Sequence, residues 1–401
     1  MGPLRSAILA VLPAVCVSER TQRLDSIDLL RGVVILLMAL DHARDFFGDL
    51  SVDPMDPAKT WPALFLTRWI SHFCAPVFVF LAGTSAWLQA RRKSPAELSY
   101  FLITRGLWLV FLELTWVRCL GWFFNFNYHF SVGQVIWAIG WSMVALGVAV
   151  RFQLPPRAAG LIGVAVIFLH NLTDAWRAEQ FGPFWWLWRI LHDRKNMEIA
   201  PGYIFFPQYP LLPWMAILFA GYGFGMVYSM EDERRRRVIA WLGLSATALF
   251  VLLRAANVYG DPRPWTGSVY SFLNCAKYPP SLLFILMTLG PALLLLSRLP
   301  DTVPGVWRHV VMFGRVPLFF YLIHLPLIHG AAVFYALAVY GNADWLTDAP
   351  GWGRIAKPAD FGFGLPGVYA VWLTVLALTY PLCAWFTKKK RNSNAVWVRY
   401  L

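Results

Sequence analysis

The chain has 401 residues, 58% hydrophobic, 16% aromatic and only 14% charged, with a formal net charge of +13. A soluble domain carries roughly 45–50% apolar and about 25% charged residues, so a soluble globular fold is excluded and a polytopic membrane protein is expected. The positive balance follows the topology of the spans and calls for no nucleic-acid partner.

Apolar runs of membrane-crossing length recur at about 30–48, 65–89, 101–120, 132–151, 157–173, 209–229, 238–256, 279–298, 316–340 and 366–386. Basic residues cluster in every second connection. Arg5, Arg20, Arg23 and Arg31 precede or open the first span, and Arg91, Arg92 and Lys93 follow the second. Arg151 and Arg157, Arg234 to Arg237, and Lys388 to Arg391 continue the alternation. Placing these in the cytoplasm puts 22 of the 35 Lys and Arg inside, which sets both termini there. The expected fold is all-α, a transmembrane helical bundle of about ten spans. It divides into a cytoplasmic segment 1–29, a single membrane domain 30–386 and a basic tail 387–401. The 21 Trp and 15 Tyr suit interfacial belts. Ala7 to Val17 is apolar but too short to span.

The first span carries the most informative residues. Asp41, His42 and Asp45 follow its apolar run, and the i,i+3 and i,i+4 spacings allow them one helical face. Ionisable groups at such depth cost roughly 2.5–3.5 kcal/mol each on insertion scales. A histidine beside carboxylates is a candidate general base; the structural alternative is a hydrogen-bonded cap at the helix end. In the second span Arg68 and His72 are again i,i+4, at the same depth by topology, and two basic faces would converge on one polar cavity. Snorkelling of Arg68 and a satisfied buried His72 are the plainer alternative. The run Gly83-Thr84-Ser85 suits close helix packing.

The third span holds Arg105 near its inner end and Glu113 near its middle. They lie about 12 Å apart along the helix, so each needs another partner: an ion pair, or a cofactor or proton contact for Glu113. Arg105 with Arg91 and Arg92 would suit an anionic donor such as coenzyme A, or would simply anchor the inner face. The outer connections around 174–208 and 257–280 are long, and the latter supplies Lys277 and Tyr278 as weaker candidates. The ninth span opens Arg315-Val316-Pro317 and places Tyr321 and His324 at i,i+3. Pro317 and Pro326 free backbone groups for other partners. Cys16, Cys74, Cys119, Cys275 and Cys383 are scattered, with no CxxC or Cys/His cluster, so neither a disulfide framework nor a metal site is expected. P-loop, GxSxG and HExxH patterns are missing.

Arg23 to Asp45, Ala75 to Ser85, Pro213-Trp214 with Gly221 to Gly225, Tyr278 to Pro291 and Phe313 to His329 resemble a bacterial integral membrane family. It is described as heparan-alpha-glucosaminide N-acetyltransferase-like, within a wider transmembrane acyltransferase superfamily. The resemblance implies a ten-helix core, acetyl-CoA as donor from the cytoplasm, a sugar or other hydroxyl or amine acceptor on the outer side, and a bacterial plasma membrane location. In related polysaccharide acyltransferases a helix-one histidine eleven residues after an Arg is regarded as catalytic. Arg31 and His42 have that spacing, so the resemblance carries the role to His42. In the lysosomal enzyme of the family the reactive histidine precedes helix two, where Lys59 to Pro62 here offers none. The expected site is therefore His42 with Asp41 and Asp45 as catalytic group, and Arg68, His72, Arg105, Glu113, Lys277, Arg315, Tyr321 and His324 around donor and acceptor. The alternative is a transporter or flippase in which Asp41, His42 and Glu113 relay protons.

Overall fold

In the computed structural model the described residues are 24–49, 51–347, 357–393, 395, 398 and 400–401. The basic residues Arg5, Arg20 and Arg23, the apolar stretch from Ala7 and Cys16 lie outside them.

Fifteen α-helices follow one another among these residues. They are α1 (Asp25–Phe47), α2 (Pro62–Ile70), α3 (Cys74–Ala90), α4 (Pro95–Leu112), α5 (Val135–Arg151), α6 (Pro156–Leu169), α7 (Trp185–Leu191) and α8 (Leu211–Phe224). Then come α9 (Asp232–Ala256), α10 (Val269–Leu273), α11 (Leu282–Arg298), α12 (Trp307–Arg315), α13 (Pro317–Tyr340), α14 (Asp344–Thr347) and α15 (Leu365–Asn392). Seven stretches are long and apolar enough to cross a membrane: Pro62–Ala90, Pro95–Phe123, Pro156–Thr173, Leu211–Ser229, Asp232–Ala256, Pro317–Tyr340 and Leu365–Asn392. The charged α1 and the shorter apolar α5 and α11 occupy the other expected positions. The all-α expectation is met except for a small sheet of three strands, β1 (Phe130–Val132), β2 (Met197–Ala200) and β3 (Tyr203–Phe206), ordered β1-β3-β2. β1 runs parallel to β3, with Phe130 opposite Ile204, and β2 is antiparallel to it.

Local chemistry sets the helix ends. Pro62, Pro95, Pro156 and Pro317 each open a helix, where the missing N–H costs nothing. Ser94 and Glu97 add a reciprocal capping box to α4. From Glu113 to Phe123 the α4 span continues as a π-helix and stops at Phe124 in the left-handed region. Such widened turns favour functional sites. Buried Arg118 within it donates to the Phe130 carbonyl at 2.9 and 3.1 Å and to Asn125 Oδ1 at 2.8 Å, fixing the turn that leads into β1.

Helix pairs approach closely where side chains vanish. A Cβ on Gly83 of α3 would overlap the Leu218 carbonyl oxygen of α8, and one on Gly221 would overlap that of Phe80. Thr84 Oγ1 donates to the Gly221 carbonyl at 3.2 Å across the same seam. This is the small-residue packing expected in lipid. Gly32 and Gly314 do the same for α1 and α12. α1 is thereby enclosed by α3, α12, α13 and α15. At its first turn Ser26 Oγ donates to Asp301 Oδ1 at 2.8 Å and Asp25 accepts from Arg315 at 2.7 Å. The helix that carries His42 is thus clamped at the end of the bundle bearing the basic clusters.

Candidate active site

His42 lies on the last turns of α1, half-buried, with three aromatic rings around it. Its Nδ1 is 2.9 Å from His324 Nε2, and the two imidazoles stack at 5.1 Å and 12°. Trp122 from the π-helix meets it edge-on at 5.4 Å, and Tyr321 lies at 6.3 Å. His324 is fully buried, and its Nδ1 faces the Phe320 carbonyl one helical turn back at 2.8 Å. A carbonyl only accepts, so His324 Nδ1 carries the proton and its Nε2 offers a lone pair. His42 must then donate through Nδ1, which leaves His42 Nε2 unprotonated in the neutral ring. That nitrogen is the basic one.

Pro326 lies within α13, which continues through it. Pro326 has no N–H for the Leu322 carbonyl, and Trp116 Nε1 donates to that oxygen at 2.9 Å instead. The backbone partner expected of Pro326 is thus a π-helix side chain, which ties the Trp122 segment to the His324 segment.

The carboxylates next to His42 do not orient its ring. Asp41 accepts from Arg68 at 2.7 Å and from Arg44 at 3.1 Å, and Asp45 accepts from Arg44 at 2.6 Å. Arg44 is buried between them. Arg68 also donates to Ser71 Oγ at 2.9 Å. Arg68 of the second span thus joins Asp41, Arg44 and Asp45 of the first in a four-residue charge network, and the ring partner of His42, expected as a carboxylate, is corrected to His324. Lys277, buried in the 257–281 connection, is near enough for its charge to act on Asp41 and His42. His72 is buried against Phe284, and its Nδ1 has no hydrogen-bond partner among the described residues.

A cavity of about 970 Å³ opens at the opposite end of α1 and runs inward. Its mouth carries Arg31, Lys93, Arg105, Arg315, Lys390 and Arg391; its throat is lined by Ile35, Met38, Phe78, Leu109, Ile139 and Leu318. It reaches Tyr321, the ring beside His42. Arg31 donates to Asp28 at 3.1 Å and to Ser85 Oγ. Of the basic cluster expected with Arg105, Arg91 lies instead over the Trp87 ring, 5.6 Å from its centroid. Tyr321 lines this cavity, and His324 stands behind His42.

Glu113 sits at the start of α5, accepting from the Trp137 amide at 3.2 Å, and forms no ion pair among the described residues. The N-terminal amides of a helix and its positive dipole end favour a carboxylate there. Its Oε1 has no hydrogen-bond partner among the described residues. Trp122 carried no recognisable sequence signal. Lys93, Lys390 and Arg391 read as topology signals alone, because nothing in the spacing brings the tail to α4.

Residues 23–256 match the family model described as heparan-alpha-glucosaminide N-acetyltransferase, catalytic. The match spans more than half of the chain, and the chain belongs to this family, whose members are membrane transferases. It contains Arg31, Asp41, His42, Asp45, Arg68, His72, Arg105 and Glu113; Lys277, Arg315, Tyr321 and His324 lie beyond its end. No curated protein compared with the chain matches it.

Proposed function

We propose that this protein transfers an acetyl group from acetyl-CoA to a hydroxyl or amine of a sugar, with the donor entering at the basic end of the bundle and the acceptor at the other. In this reading the basic end is cytoplasmic, α1, α5 and α11 complete ten spans, both termini lie inside, and the membrane is the bacterial plasma membrane. The observation that supports it is a basic-mouthed cavity that reaches Tyr321, whose ring lies 6.3 Å from the His42 imidazole.

Arg31 and His42 are eleven residues apart on one helix, or about 16 Å at helical rise, on the scale of an extended pantetheine arm. Arg105 and Arg315 would hold the phosphates of the donor at the mouth, where guanidinium forks suit them. The apolar throat would take the arm and bring the thioester past Tyr321.

His42 Nε2 then accepts the proton of the acceptor as its oxygen or nitrogen attacks the thioester carbon. The tetrahedral intermediate collapses with cleavage of the carbon–sulfur bond. The leaving thiolate takes the proton back from His42, giving free coenzyme A and the acetylated acceptor. His324 fixes the tautomer and supports the transient positive charge. Asp41 and Asp45 hold Arg44 and Arg68, and this network with Lys277 and His72 forms the acceptor side, where a cation stabilises the developing oxyanion. Holding both reactants at one buried point supplies much of the rate.

The test is acetyl-CoA turnover by purified protein against a panel of amino sugars and glycosides, for wild type and His42→Ala. Loss of about 10²–10⁴-fold in His42→Ala is expected for a general base. Equal rates would remove His42 from the mechanism, and vesicle uptake of a solute without any acyl donor would favour transport instead.

A further inference from the structure

A second cluster of ligating side chains lies far along the fold from His42, in the connection between α6 and α8. His170 ends the span Pro156–Thr173 in a 3₁₀ turn, Asp174 follows that turn, and His192 caps α7. His170 Nδ1 and His192 Nε2 are 3.4 Å apart, His192 Nε2 and Asp174 Oδ1 are 3.4 Å apart, and one ligand atom from each of the three residues lies within 4.8 Å of the other two. Zinc bound at 2.0–2.1 Å in a tetrahedral site sets its ligand atoms about 3.3–3.4 Å apart.

The surroundings fix each donor. Both histidines are buried, at 3% and 4% exposure. The His192 ring stacks on Trp188 at 5.2 Å and 13°, and Trp188 stacks on Phe181. The second oxygen of Asp174 accepts from Asn171 Nδ2 at 2.8 Å, while Asn171 Oδ1 accepts from the Leu282 amide at 2.8 Å. His170 keeps its other nitrogen, Nε2, buried without a hydrogen-bond partner among the described residues. A contact of 3.4 Å between two ring nitrogens is long for a hydrogen bond, so His170 is poorly satisfied by protein alone. Second-position hydrogen bonds of the Asn171 kind are what orient carboxylate ligands in metal sites.

We propose that His170, Asp174 and His192 form a binding site for a divalent transition-metal ion, zinc by its ligand set. Asp174 is partly exposed, leaving a face for a water as fourth ligand. The ion would staple the end of α6 to α7. Through Asn171 and Leu282 it would also fix the start of α11, directly after the connection that carries Lys277. The proposal is independent of the acyl-transfer reading. The sequence did not suggest it because a separation of 22 residues between the histidines matches no ligand spacing pattern; only the fold of the 174–208 connection brings them together.

The experiment uses full-length protein with an affinity tag that contains no histidine, stripped with chelator and dialysed. Titration with Co²⁺ read by visible absorption, competition by Zn²⁺, and metal content by mass spectrometry are the measurements. One equivalent bound with Kd of about 1 µM or tighter is expected. His170→Gln with His192→Gln should weaken binding at least 100-fold, and Asn171→Ala by about 10- to 100-fold. Should the double variant not be recovered folded, Asp174→Asn, which alters a partly exposed side chain, is read in its place. Sub-stoichiometric metal in the wild type overturns the proposal, as does a Co²⁺ spectrum unchanged in the variant.

Discussion

His42 Nδ1 and His324 Nε2 meet at 2.9 Å, and the Phe320 carbonyl behind His324 dictates which nitrogen of each ring is protonated. The pair does for the candidate base what a buried carboxylate does in a hydrolase triad, fixing tautomer and orientation. It does so through a neutral ring nitrogen in place of a fixed negative charge.

His324→Ala is therefore expected to lower kcat by about 10²-fold, less than loss of the base itself, with KM for acetyl-CoA unchanged. His324→Gln should recover part of the rate, because its side-chain oxygen can accept from His42 Nδ1. A merely structural role would move expression and thermal stability but would not separate Gln from Ala in kcat. Steady-state kinetics of the two variants beside unfolding curves decides between them.

Asp41 bridges two arginines, whereas Asp45 holds one. Removing the charge of Asp41 leaves Arg44 and Arg68 with diminished compensation in a largely buried setting. Breaking such a pair costs about 3–5 kcal/mol. Asp41→Asn should thus lower the thermal unfolding midpoint markedly and Asp45→Asn much less, since the Asp45 side chain is 28% exposed. Equal small shifts in the two would show that the network carries little stability.

Much of this arrangement is legible in the sequence. The shared face of Asp41, His42 and Asp45 and the common depth of Arg68 follow from helical periodicity and topology, which sequence reports directly; that Arg68 meets Asp41 does not. The pairing of His42 with His324 spans 282 positions and depends on how α1 and α13 rotate about their own axes. Periodicity names faces but not facing partners. Glu113 shows the same limit: its spacing excluded a bond to Arg105, yet its place at the start of α5 comes from a hairpin-like packing of α4 on α5 that no local pattern encodes. The three-stranded sheet was missed because its strands are only three or four residues long and two lie in a connection read as loop.

Gly314 faces the backbone of α1 so closely that a Cβ would overlap the Asp28 carbonyl oxygen. Gly314→Ala must push α12 off α1 and is expected to cost about 1–3 kcal/mol. Gly330 on α13 is the internal comparison, since a Cβ there would meet only Phe124 at 3.5–3.6 Å, an ordinary contact. Gly330→Ala should be neutral or stabilising by about 0.4–1 kcal/mol. Thermal unfolding of the two variants in the same detergent measures the difference, and matching losses would sink the close-packing account of the α1–α12 seam.

Arg105 lines the cavity mouth beside Arg31 and Arg315, in a position to meet phosphates and not the thioester. Its contribution should appear only with donors that carry those phosphates. A charge-assisted hydrogen bond is worth about 1.5–3 kcal/mol, so Arg105→Ala should raise KM for acetyl-CoA by about 10- to 100-fold. The same variant should act on acetyl-pantetheine, which lacks the nucleotide phosphates, as the wild type does. High salt should weaken the wild type toward the variant with acetyl-CoA, because the interaction lies at an aqueous opening and is screened. An equal loss with both donors would mean that Arg105 supports the fold of the throat, and the donor phosphates would then have to be sought elsewhere.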